Sequence, residues 1–192
     1  MVKIAITGKM RSGKDTFASP LLNRPNVVHL KFADGITDLI GEYLPELLLE
    51  GKPREAYQVI GQALRQFDGD VWVRELERQY DYAQIVADYE NFPVDIIITD
   101  VRQPNEYQWC KDNGFTVVKM TCPDEVRIKR ITECGDEFEP EQFYHETEGY
   151  VDTFETEVII DSDCSKEWLH IQANMLYEIL QKEEDGHGAT TD

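Results

Sequence analysis

The chain alternates short apolar runs with longer segments whose apolar positions recur at helical spacing. Five runs read as β-strands: Val2–Thr7, Val27–Phe32, Val94–Asp100, Phe115–Thr121 and Glu157–Asp161. Strand and helix in alternation predict a parallel sheet covered by helices. The run Asp95-Ile-Ile-Ile-Thr-Asp100 is almost continuously apolar, as a strand buried on both faces requires. Its polar end, Asp100, should emerge at the carboxyl edge of the sheet, where open α/β sheets bind ligands.

Between the second and third runs, residues 33–92 are too many for a simple crossover. They read as helices near Asp34–Tyr43, Arg54–Phe67 and Val71–Tyr89, punctuated by Pro45, Pro53 and the Gly69-Asp70 turn. A second insertion covers 124–154, helical at first and then acidic and loop-like. The last helix is expected over Lys166–Lys182, followed by a polar tail at 183–192 without order. One domain over 1–182 accommodates all of this.

Composition narrows the function classes. The sequence has 192 residues with 19 basic and 38 acidic side chains, a formal net charge of −19. Such a balance argues against a general binder of nucleic-acid polymers or anionic membranes. Any polyanionic substrate must therefore be met by a few basic residues gathered in one cleft. Cys110, Cys122, Cys134 and Cys164 form no C-x-x-C pair, which suits reduced thiols. No signal-peptide pattern and no membrane-length apolar stretch is evident, so the expected location is cytoplasmic.

The sharpest chemical signal directly follows the first strand. Gly8-Lys-Met-Arg-Ser-Gly-Lys-Asp-Thr16 has the spacing of a phosphate-binding loop. Its glycines let backbone N–H groups turn inward around a phosphate, and the next helix adds its positive end. Lys14 supplies a mobile charge for the β- and γ-phosphates, while Gly8, Arg11, Ser12, Gly13, Lys14, Asp15 and Thr16 form the nucleotide cradle. Asp15 stands where most such loops carry Ser or Thr. Three readings are open: Asp15 meets Mg²⁺ directly or through water, Thr16 takes that role, or Asp15 only favours the helix start.

This loop resembles that of the phage deoxynucleoside monophosphate kinases, and four further segments follow in the same order. They are Phe32-Ala-Asp34, Gln62-Ala-Leu-Arg65 with Asp70-Val-Trp72, Thr99-Asp-Val-Arg102-Gln-Pro-Asn-Glu106, and His145-Glu-Thr-Glu148. Phosphomevalonate kinases share a similar Ser-Gly-Lys-Asp loop, so the loop alone does not choose the acceptor. The resemblance implies a three-layer α/β/α P-loop kinase fold with a five-stranded parallel sheet, a helical acceptor-binding insertion at 33–92 and a lid at 124–154. It also implies ATP with Mg²⁺ and a nucleoside monophosphate acceptor. Related enzymes are often homodimers, although nothing in the sequence locates an interface.

On that basis Lys14, Arg127, Arg130 and Asp100 are the candidate catalytic residues. Arg127 and Arg130 lie three apart on one helix face and follow the fourth strand, where related kinases place lid arginines. Their plainer reading is a solvated face. Asp100 has three readings: it orients Mg²⁺, takes the acceptor's residual proton, or caps a turn. Asp34, Arg65, Trp72 and Arg102 are the candidate acceptor contacts, with Arg54 a weaker one. Trp72 would stack on a base or belong to the core; Arg102 would meet the acceptor or pair with Glu106; Asp34 would meet the acceptor sugar or anchor Arg11. His145 with its acidic neighbours reads as a surface motif rather than a metal site; for Glu148 a lid-closing or acceptor-side role is the alternative to that surface reading.

The reaction expected is direct transfer from ATP to a deoxynucleoside monophosphate. Alternatives are a kinase for phosphomevalonate or dephospho-coenzyme A, or a regulatory protein that only hydrolyses nucleotide.

Overall fold

The structure is a computed structural model, and it describes residues 1–49, 53–133 and 146–188. Five parallel strands form a single sheet in the order β2-β3-β1-β4-β5. They are β1 (Lys3–Gly8), β2 (Val27–Leu30), β3 (Asp95–Val101), β4 (Thr116–Thr121) and β5 (Val158–Asp161). The helices are α1 (Lys14–Leu22), α2 (Asp34–Tyr43), α3 (Arg54–Phe67), α4 (Val71–Glu90) and α5 (Pro104–Asp112). They continue with α6 (Asp124–Glu133), α7 (Glu146–Thr153) and α8 (Lys166–Gly188), and a 3-10 turn spans Pro45–Leu48.

The two-residue period of the strands sorts their side chains into two cores. Ile4, Ile6, Ile97 and Val118 face Phe17 and Leu21 of α1 and Leu169 and Tyr177 of α8. Ala5, Ile96, Ile98 and Val117 point the other way, against Leu76 of α4, Trp109 of α5 and Val151 of α7. Helices thus cover both faces, and the expected three-layer α/β/α arrangement with five parallel strands is what forms. Among the described residues, no helix is long and apolar enough to cross a membrane.

Four sequence expectations shift. The second strand stops at Leu30 rather than Phe32, because the N–H groups of Phe32 and Ala33 bond the Asp100 carboxylate instead of a neighbouring strand. The segment 33–92 does two jobs. Ile36, Ile40 and Trp72 build a small core of their own, whereas Val73 and Leu76 of α4 belong to the main core. So α4 is partly the crossover that covers the sheet.

The span 124–154 starts helical as expected, but it also ends in a helix. It begins as α6 and ends as α7, where Phe154 stacks on Tyr107 at 4.7 Å between ring centroids. His145 and the side chains of Glu146 and Glu148, like Cys134, lie outside the described residues. The last helix passes Lys182 and continues to Gly188, six residues into the stretch expected to be a tail.

Candidate active site

β1 ends at Gly8, and the chain turns through Lys9, Met10, Arg11 and Ser12 before α1 begins at Lys14. A Cβ on Gly8 would lie 2.9 Å from the carbonyl oxygen of Met120, so the close approach of β4 excludes any side chain there. Arg11 takes a left-handed backbone with φ of 60°, and Gly13 follows with φ of 86°. The Ser12 N–H closes the turn on Lys9 O at 3.1 Å. The Ser12 hydroxyl is buried inside the loop and has no hydrogen-bond partner among the described residues. Lys14 Nζ bonds the carbonyls of Gly8 at 2.6 Å and Lys9 at 2.9 Å, holding its charge at the loop's mouth.

The loop is braced from α6. Arg127 Nε donates to Met10 O at 2.7 Å, and its Nη1 pairs with Asp124 at 2.7 Å. Arg130 Nη1 donates to Arg11 O at 3.2 Å, and its Nη2 to Ser162 O at 2.6 Å. The two arginines do share a face, as their spacing requires, but they grip two successive loop carbonyls. Arg127 is 1% exposed and does not line the cleft, which corrects its assignment as a residue that reaches the transferred phosphate. Arg130 does line it. Lys129 points to solvent, near Glu133.

A cleft of about 950 Å³ extends from the loop to the helical insertion. Its loop side carries Arg11, Ser12, Gly13, Lys14, Asp15 and Thr16; its far side carries Arg54, Tyr57, Gln62, Arg65 and Arg102. On α3 the residues Arg54, Gln58, Gln62 and Arg65 all line it, at spacings of four, four and three. That is one polar stripe of an amphipathic helix, a signal present in the sequence at the helix period. Tyr57, Lys31 and Lys166 also line the cleft. No spacing announces Lys31 and Lys166, which arrive from the end of β2 and the start of α8.

The carboxylates of the cleft mostly serve the backbone. Asp100 accepts from Phe32 N at 2.9 Å and Ala33 N at 3.0 Å, which fixes the turn into α2. This geometry favours the capping reading for Asp100 over a proton acceptor, although the residue lines the cleft. Asp34 accepts from Lys31 N at 3.0 Å within the same turn, next to the cleft-lining Ala33, so its carboxylate also braces the backbone there. Burial, and then the charge of Asp100, raise the Asp34 pKa.

Trp72 is corrected too. It is 3% exposed, and its Nε1 donates to Gly61 O at 3.1 Å, so it is a core residue of the insertion and cannot stack on a ligand. Arg102 lines the cleft. Its anticipated partner Glu106 instead pairs with Arg65 at 3.1 Å and accepts the backbone N–H of Arg102 at 2.9 Å.

A phosphate loop leading from the first-numbered strand of an all-parallel sheet, with helices on both faces, defines the α/β fold of the P-loop kinases. The chain belongs to the AAA domain family, whose model matches residues 4–151. No curated protein is similar enough to match it.

Among solved structures it resembles an unliganded sugar kinase from Janibacter sp. HTCC2649. The identity is 16%, the match covers 93% of this chain and 96% of that one, and the TM-score is 0.58. A tunicamycin resistance protein from Deinococcus radiodurans is similar at 15% identity, with coverage of 91% and 94% and a TM-score of 0.56. Shikimate kinase from Acinetobacter baumannii, in complex with shikimate, matches at 14% identity, with 95% of each chain covered and a TM-score of 0.50. At these identities the likeness is one of fold.

Proposed function

We propose that the protein is a phosphotransferase that passes the γ-phosphoryl group of ATP to a deoxynucleoside 5′-monophosphate. The observation that carries this reading is a single cleft with the phosphate loop on one side and Arg54, Arg65 and Arg102 on the other. Its volume of about 950 Å³ lies at the upper end of small-molecule sites, as two substrates bound together require. On a chain of net charge −19, basic residues gathered in this way have a reason to be there.

In this reading Gly8, Arg11, Ser12, Gly13, Lys14, Asp15 and Thr16 hold the ATP phosphates, and Arg65 and Arg102 hold the acceptor phosphate. An acceptor phosphate oxygen attacks the γ-phosphorus while the bond to the β,γ-bridging oxygen breaks. ADP leaves, and the acceptor becomes the diphosphate. A dianionic phosphate needs no base, which agrees with an Asp100 carboxylate already engaged by two N–H groups. The protein aligns the two phosphates, and Lys14 and Arg130 offset the charge that spreads over the group in flight.

The start of α1 fits magnesium. Asp15 and Thr16 line the cleft with hard oxygen donors. Among the described residues no group of three or more His, Cys, Asp or Glu gathers into a cage. Mg²⁺ in kinases takes few protein ligands, completing its shell with phosphate oxygens and water. When bound it neutralises charge on the β- and γ-phosphates.

The choice of acceptor rests on the resemblance of Phe32-Ala-Asp34, Gln62–Arg65 and Thr99–Glu106 to the phage deoxynucleoside monophosphate kinases. A coupled ADP-release assay over deoxynucleoside and nucleoside monophosphates, phosphomevalonate, dephospho-coenzyme A and shikimate tests it. Turnover stimulated best by a deoxynucleoside monophosphate is expected. ATP hydrolysis that no acceptor stimulates would sink the transfer reading.

A further inference from the structure

Glu106 is 2% exposed, and its carboxylate is divided between two tasks. Oε2 accepts the backbone N–H groups of Arg102 at 2.9 Å and Gln103 at 3.0 Å, which closes the first turn of α5. Oε1 reaches across to α3 and accepts from Arg65 Nη2 at 3.1 Å. The cap needs only an uncharged oxygen, and glutamine serves that position in capping boxes. A buried carboxylate is costly unless it is paired. The charge at position 106 is therefore explained by Arg65 and not by the cap.

The α3 side is shaped to match. Gly61 lies one turn before Arg65, and a Cβ there would stand 3.3 Å from Arg65 Nη1 and 3.1 Å from Ile36 Cδ1. The missing side chain leaves room for the guanidinium to lie back along its own helix. Both Arg65 and Arg102 line the same cleft.

We propose that Glu106 is a positioning residue for the acceptor: it aims the Arg65 guanidinium at the acceptor phosphate and ties that aim to the turn carrying Arg102. The inference rests on the kinase reading above. A guanidinium has five N–H donors, so one bond through Nη2 sets its plane without exhausting it. Two planar forks held at a fixed separation bind phosphate oxygens in one orientation, which an in-line transfer needs.

The test is Glu106→Gln, which keeps the size and the oxygen for the cap but removes the charge. The Michaelis constant for the deoxynucleoside monophosphate should rise about tenfold or more. That for ATP should stay within about twofold, and the melting temperature should change little, because the Arg65 guanidinium left behind is partly exposed to the cleft. In an Arg65→Ala background the same substitution should add nothing, because its effect passes through Arg65. Gly61→Ala should weaken acceptor use in the same direction. An unchanged acceptor constant, an equal rise for ATP, or a full additional loss in the Arg65→Ala background would each overturn the proposal.

Should the wild type phosphorylate no acceptor, the kinase reading fails, and the positioning role is then read from binding. The Arg65 Nε–Hε resonance is titrated with inorganic phosphate in wild type and Glu106→Gln. Binding weakened about tenfold in the variant supports the role, and equal binding overturns it.

Discussion

Arg127 Nε donates to the carbonyl oxygen of Met10 at 2.7 Å, joining residues 117 positions apart in the chain. Arg130, three residues further along α6, repeats the contact on the next carbonyl, Arg11 O. A phosphate loop directs its N–H groups inward, so its carbonyls must find donors elsewhere. Two buried or half-buried guanidinia supply them. α6 is in this sense the outer wall of the nucleotide site.

Replacing Arg127 should therefore damage ATP binding without touching the acceptor. In Arg127→Met the stem volume is kept, Met10 O loses its donor, and Asp124, already exposed, returns to water. Hydrogen bonds from charged groups contribute about 1.5–3 kcal/mol. The Michaelis constant for ATP should rise by roughly ten- to a hundredfold, with the acceptor constant little changed. Steady-state kinetics with each substrate varied in turn check this, and a selective effect on the acceptor would contradict it.

Lys14 makes the complementary case. Its ammonium rests on the carbonyls of Gly8 and Lys9, so its energetic value lies in charge rather than packing. Lys14→Ala should lower kcat by about a hundredfold or more, the scale seen when a preorganised charge at a reacting group is removed. The far-ultraviolet dichroism should match wild type. A variant within about threefold of wild-type kcat would remove Lys14 from the transfer step.

Gly8 tests the loop's shape. In Gly8→Ala the new methyl would meet Met120 O at 2.9 Å and Ser12 Oγ at 2.5 Å, and backbone cannot step aside as a flexible side chain can. Overpacking of this kind costs about 1–3 kcal/mol. At about 2–4 °C per kcal/mol for a chain of this length, the melting temperature should fall by several degrees. Calorimetry without nucleotide checks it, and an unchanged midpoint would mean the loop is not held against β4.

What the sequence revealed follows from which features are local. The phosphate loop, the buried β3 strand and the Arg102 turn are short continuous motifs, and each is found where its spacing puts it. The arginines of α6 show the limit. Their i,i+3 spacing identifies a shared face, but whether that face meets a substrate or the loop's carbonyls depends on how α6 docks. Trp72 has the same ambiguity, since an indole at a helix start can stack on a base or fill a core. Here Gly61 O takes its N–H, and the core holds it. Glu106 stands four residues after Arg102, and a pair between their side chains is the alternative to acceptor contact that spacing alone offers. It pairs instead with Arg65, a residue 41 positions away that only tertiary structure brings near. The stripe Arg54–Gln58–Gln62–Arg65 was legible and needed only the helix period to be seen whole.

His29 gives a prediction that needs no substrate. It sits on β2 and shares a hydrogen bond of 2.8 Å between its Nε2 and Thr99 Oγ1. Burial, and then the nearby charge of Lys31, lower its pKa to about 4, against a weaker opposing pull from Asp15. An unfolded histidine takes its proton near pH 6.5. Between pH 6.5 and about 4 the unfolded chain therefore binds a proton at this site that the folded chain refuses. Linkage then makes stability fall as pH drops through that window, and the contribution is fully present only above it. His29→Gln keeps a polar partner for Thr99 and removes the titration. Buried carboxylates such as Glu106, whose pKa is raised mainly by burial, act with the opposite sign but are common to both proteins. Urea unfolding at several pH values should thus show a steeper acid-side decline for wild type than for His29→Gln. Proton NMR of the His29 ring gives the direct check: a titration midpoint near pH 6.5 in the folded protein would contradict the account.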